Sequence, residues 1–86
     1  MAREWDRAMR NAPPTCEVVE KIGILAVNGT FTTELRVIKW NDRAARYDIR
    51  AWREWQGTEM PLKGMTLSED EMRMLYAMLK ERFEEG

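Results

Sequence analysis

The chain has 86 residues, 14 basic and 15 acidic, with no histidine and a formal net charge of -1; 44% are apolar and 34% charged. That describes one small globular domain, and a monomer of this size buries only about 60% of its unfolded surface, so pairing with a second copy is a natural way to bury more. With no histidine and one cysteine, Cys16, a disulfide framework, a Cys/His zinc site, a Ser-His-Asp triad and a Cys-His pair are excluded within one chain, leaving binding or carboxylate chemistry.

Residues 1–15, MAREWDRAMRNAPPT, read as an N-terminal arm. Trp5, Ala8 and Met9 have helical spacing, so a short helix over residues 2 to 11 that Pro13 and Pro14 would end and a frayed or packed arm both fit. No run resembles a signal peptide or reaches the roughly 20 apolar residues of a membrane span, and a lone thiol suits a reducing interior, so a cytoplasmic location is expected.

The remaining residues, 16–86, read as one domain, with a sheet over 17–67 and a helix over 68–84. Glu17 to Val27 is rich in β-branched and aliphatic residues, and Asn28-Gly29-Thr30 is a turn that tolerates positive φ. Phe31 to Trp40 is the return strand, with Phe31, Thr33, Leu35 and Val37 on one side and Thr32, Glu34, Arg36, Ile38 and Trp40 on the other. Neither side is purely apolar near its end, which allows a bulge there. Past Asn41-Asp42, Arg46 to Trp55 alternates Tyr47, Ile49 and Ala51 with Arg46, Asp48, Arg50 and Trp52. Gln56-Gly57-Thr58 is the next turn, and Glu59 to Leu67 is a fourth, irregular strand whose Pro61 and Gly64 suit an edge or a bulge. Four consecutive strands on short turns make a meander.

The helix carries three start signals: Ser68 as N-cap, Glu71 completing a capping box, and Leu67 with Met72 as a hydrophobic staple. Met72, Leu75, Tyr76, Leu79 and Phe83 gather on one side, and Met74 and Met78 widen the apolar arc to roughly 200°. One sheet face needs less, so Met74 and Met78 are expected at a homodimer interface. Tyr47, Ile49, Leu35, Val37, Met72, Leu75, Leu79 and Phe83 are the expected core, with Trp55 beside them by parity.

Charge divides unevenly. Ser68 to Gly86 holds six acids and three bases, whereas residues 1–67 hold eleven bases and nine acids. Between Arg36 and Lys63, seven bases (Arg36, Lys39, Arg43, Arg46, Arg50, Arg53 and Lys63) outnumber Asp42, Asp48, Glu54 and Glu59, with Trp40, Tyr47, Trp52 and Trp55 interleaved. Cations neutralise phosphates and planar side chains stack on unpaired bases, so the pattern suits a single nucleic-acid strand. It equally describes the solvated face of a half-buried sheet, in which Arg50 simply pairs with Asp48.

KWNDRAARYDIRAW followed by LKGMTLSEDEMRML resembles the positive cofactor four family of transcriptional coactivators, in particular its compact bacterial YdbC-type branch. The most specific parts are Tyr-Asp-Ile-Arg at 47 to 50 and Lys-Gly-x-Thr-Leu-Ser at 63 to 68 running into the helix, and the likeness spans about Glu17 to Phe83. It implies a mostly β, α+β fold: a curved four-stranded antiparallel meander with one C-terminal helix, assembled as a homodimer. It also implies binding of single-stranded or unwound DNA with little sequence preference, in transcription or genome maintenance, with RNA not distinguished. By position, Arg50 and Lys63 look like the family's phosphate-contacting bases and Trp40 and Trp52 like its stacking aromatics, with Arg36 and Lys39 joining more loosely. No catalytic residue, metal or cofactor is expected, and no membrane partner; the competing class is a protein-interaction module using the basic sheet face and the apolar helix.

Overall fold

The computed structural model describes residues 16–84; the expected arm and its short helix lie outside the described residues. Four strands, β1 (Cys16–Asn28), β2 (Phe31–Trp40), β3 (Arg46–Trp55) and β4 (Thr58–Leu67), precede one helix, α1 (Glu69–Glu84). They form one antiparallel sheet in the order β1-β2-β3-β4, as the alternation and turn signals predict.

The β2–β3 register is uninterrupted and sets two faces. Thr32 lies opposite Trp52, Glu34 opposite Arg50, and Arg36 opposite Asp48 on a polar face; Leu35 lies opposite Ile49 and Val37 opposite Tyr47 on an apolar one. Bulges occur elsewhere than in β2. β1 has 13 residues against the 10 of β2, and three register shifts absorb the excess at Val19, Ile22 and Leu25. On β4 the shift between Arg50 and Trp52 sets Leu62 and Lys63 against Ala51 alone. The β3–β4 turn needs two residues of positive φ, and Gln56 (52°) and Gly57 (79°) supply them, matching the twist of the flanking strands.

Gly64 is there for packing. A Cβ on it would lie 2.5 Å from the Ile49 carbonyl oxygen and 2.6 Å from the Arg50 Cα. The close approach that this glycine permits is therefore β4 to β3.

At α1 the capping box forms as expected: the Glu71 amide donates to Ser68 Oγ (3.1 Å) and the Ser68 amide to Glu71 Oε1 (2.8 Å), satisfying two otherwise orphaned donors. Glu69, Asp70 and Glu71 crowd the first turn, where they complement the helix dipole.

The buried residues differ from the expected core. Among the described elements α1 meets only β3 and β4, near Tyr47, and none of its residues is buried. Leu79 and Phe83 are exposed, the latter by 78%, and Trp55 is exposed by 53%. Among the described residues the buried ones are Ile38, Trp52 and Leu67 with Glu34, Arg36 and Asp48, all but Leu67 on the polar face. The reason is geometric: among the described residues the helix touches the sheet at one end, leaving Leu35, Val37, Tyr47, Ile49, Met72 and Leu75 half-buried rather than enclosed.

Candidate nucleic-acid interface

On the polar face, each central arginine takes the carboxylate two residues before it on its own strand. Asp48, fully buried, takes Arg50 Nε at 2.8 Å and Nη2 at 2.9 Å, while its Oδ2 also accepts from Thr66 Oγ1 at 3.0 Å and Trp40 Nε1 at 3.4 Å. Arg50 Nη1 donates to the Leu62 carbonyl (2.9 Å), and the guanidinium lies over the Trp40 ring, 5.0 Å from its centroid. Asp48 therefore orients Arg50, Trp40 and β4 together.

The second arginine is enclosed. Arg36 is 0% exposed. Its Nε donates to Glu34 Oε1 (2.9 Å), and Nη1 and Nη2 donate to the two carboxylate oxygens of Glu59 (3.0 Å each). Its guanidinium carbon stacks 3.9 Å above the centroid of Trp52, a desolvated cation–π contact. Thr32 donates to Glu34, and Lys21 on β1 reaches Glu59 Oε2 at 3.2 Å although two strands lie between them. Burial alone would raise the Glu34 carboxyl, but the hydrogen bonds from Thr32 and Arg36 hold it below its ordinary value of 4.5. Glu59 is also lowered, first by Arg36 and, against some burial, by Lys21. Burial works against the Arg36 charge, and Glu59 and Glu34 outweigh it, so its pKa is raised.

The open part of this face lies where β2 turns into β3. A cleft of about 450 Å³ is lined by Trp40, Asn41, Arg43, Ala44, Arg46, Arg50 and Thr66. Asn41 takes positive φ (53°), and the Arg43 amide closes the turn onto the Trp40 carbonyl at 3.0 Å. Trp40 is half-buried, Arg43 and Arg46 are exposed, and neither arginine makes an ion pair with a described residue. Three guanidinium groups and an indole meet there with no carboxylate in the lining.

The structure thus brings together Trp40 and Arg50 of the residues expected from sequence. It places Arg36 and Trp52 under cover at the other end of the face. Lys39 falls on the opposite face by register, and Lys63 is exposed in the β4 bulge. Arg43 and Arg46, counted among the sheet bases but not singled out, join the cleft; the turn that aims them could have been suspected from Asn41-Asp42, but not its direction. Cys16, opposite Trp40, has its thiol pKa raised by burial and by Asp48, the condition of an inert thiol.

Among the described residues no cluster of three or more metal-ligating side chains is arranged to hold an ion, and no helix is long and apolar enough to cross a membrane. No family model matches the chain. A protein of Treponema pallidum (strain Nichols), described only as an uncharacterized protein, is 39% identical over 78 residues, covering 90% of this chain and 89% of the relative. Identity of that extent along nearly the whole of both chains places this protein in the same family as the treponemal one.

Proposed function

We propose that the protein binds single-stranded DNA, with little sequence preference and no chemical step, through its polar sheet face, in transcription or genome maintenance. The observation that carries this reading is the cleft at the β2–β3 turn, where Trp40 stands among Arg43, Arg46 and Arg50 without a carboxylate in the wall. Exposed guanidiniums neutralise phosphates, and a half-buried indole offers a face to an unpaired base, worth about 1–3 kcal/mol per stacked base. A duplex hides those base faces. Lys63, exposed in the β4 bulge, and Lys39, on the opposite face by register, lie outside this cleft and are assigned a secondary, longer-range share of the positive charge. The reach of Lys21 to Glu59 across two intervening strands fits a sheet curved toward its polar face, the shape of a trough for a strand. The resemblance to the positive cofactor four family agrees with the same reading.

The proposed working unit is a homodimer. Met74, Tyr76, Met78, Leu79 and Phe83 are each between 44% and 78% exposed, and Met60 and Met65 are also uncovered. An apolar helix side and sheet face of this extent are what a second copy would cover, joining two clefts into one site of higher avidity. The same exposure favours, as a second reading, a module that binds a different protein.

The deciding experiment is fluorescence anisotropy of a labelled oligo-dT of about 20 nucleotides against a duplex of equal length, at low and moderate salt, with sedimentation equilibrium on the same preparation. Salt-sensitive, strand-selective binding by a species of twice the chain mass is expected. A folded protein that ignores both nucleic acids at low salt sinks the reading and directs the search to protein partners.

A further inference from the structure

Glu59 holds Arg36 as a phosphate would. Both its carboxylate oxygens accept from the two terminal nitrogens of one guanidinium at 3.0 Å, the fork geometry that arginine uses for phosphate as well as for carboxylate. A second cation, Lys21, closes on the same oxygen. Glu34, the other partner of Arg36, is only 8% exposed and tied by Thr32, whereas the Glu59 side chain is 43% exposed. Of the two carboxylates, Glu59 is the one free to leave.

Its surroundings also push it outward. Glu54 lies directly across from Glu59 on β3, and like charges facing each other across a strand pair are unfavourable. Below lies Trp52, stacked under Arg36, with an indole N–H that is buried and has no acceptor.

We propose that Glu59 occupies, in the free protein, a second phosphate subsite made by Arg36 and Lys21, and that a nucleic-acid phosphodiester enters it by displacing the Glu59 carboxylate. The inference rests on the single-strand reading above and adds to it a built-in competitor. The exchange conserves charge, since one monoanion replaces another between the same two cations. It explains why the most enclosed arginine of the face lies on a binding surface yet is covered: the cover is the Glu59 side chain, on a hairpin flank and itself 43% exposed.

The test compares wild type with Glu59→Gln and Glu54→Gln by oligo-dT anisotropy. Both variants remove one negative charge from the same hairpin, but only Glu59→Gln weakens the hold on Arg36. Glu59→Gln is expected to tighten binding about threefold to fivefold, with Glu54→Gln changing it less than twofold; equal effects, or none, overturn the proposal. A measurement on unmodified protein stands beside it: saturating oligo-dT is expected to shift the NMR signals of Arg36 Nε–H and the Trp52 indole together with that of Trp40. If the Trp40 signal moves while Arg36 and Trp52 stay fixed, the subsite is refuted and the single-strand reading survives. Absence of any oligo-dT binding removes both.

Discussion

The two ends of the polar face use the same residue types differently. At the β2–β3 turn, Trp40 has Arg50 over its ring and two exposed arginines, Arg43 and Arg46, around the cleft. Toward the other end, Trp52 has Arg36 over its ring, but Glu34 and Glu59 satisfy that guanidinium and bury the stack. Both stacked arginines are held by carboxylates, Arg50 by Asp48 and Arg36 by Glu34 and Glu59, and the ends differ in the exposed Arg43 and Arg46 that the first adds around its stack. At one end the added bases stand clear of acids, and at the other the acids enclose the arginine.

That contrast can be broken most forcefully at the closed end. Arg36→Ala leaves Glu34 buried without its cation, and removal of one partner from a buried pair costs about 3–5 kcal/mol; thermal denaturation should show a loss of many degrees, and a melt unchanged from wild type would mean that the network is not structural. At the open end Trp40→Ala should leave the fold largely intact and weaken oligo-dT binding by about 1–3 kcal/mol, read by anisotropy. The pair Arg43→Ala with Arg46→Ala sharpens the electrostatic side: the log-log salt slope on oligo-dT should shrink by about 1.4, at roughly 0.7 for each phosphate that is no longer neutralised. An unchanged slope would move the phosphates elsewhere.

Acid separates the ends more gently. Glu34 and Glu59 have folded pKa values below their ordinary 4.5, so the stability they contribute is fully present above that value and is lost as pH falls through the lower folded values. Melting temperature should be level between pH 7 and 5 and then decline below about 4.5, with a shallower decline in Glu59→Gln. A curve that is the same in both proteins would detach Glu59 from the network.

Much of the fold is legible in the sequence because local chemistry specifies it. Alternation in Phe31 to Trp40 and Arg46 to Trp55 assigns the faces, the turn residues separate the strands, and Ser68 with Glu71 starts the helix. The expected core is not legible in the same way. Arg36 and Glu59 are 23 residues apart, and nothing short of the tertiary register says that they meet, so a residue with every mark of a phosphate contact is found enclosed. Periodicity also reports which helix residues want burial without saying what would cover them, and Leu79 and Phe83 are exposed among the described residues. Arg43 and Arg46 depend on the path of a turn, which composition does not record.

The bulges of β1 have a consequence for how copies of this protein can meet. Strand-by-strand growth of a sheet requires an edge whose donors and acceptors keep step with an incoming straight strand. On β1 an extra residue falls out of step at Val19, at Ile22 and again at Leu25, while the far edge on β4 has Pro61, which has no amide proton to give, and its own bulge. Both rims of the sheet are thus out of phase with a templated neighbour. Open-ended growth of the sheet, strand upon strand, is thereby disfavoured at either rim.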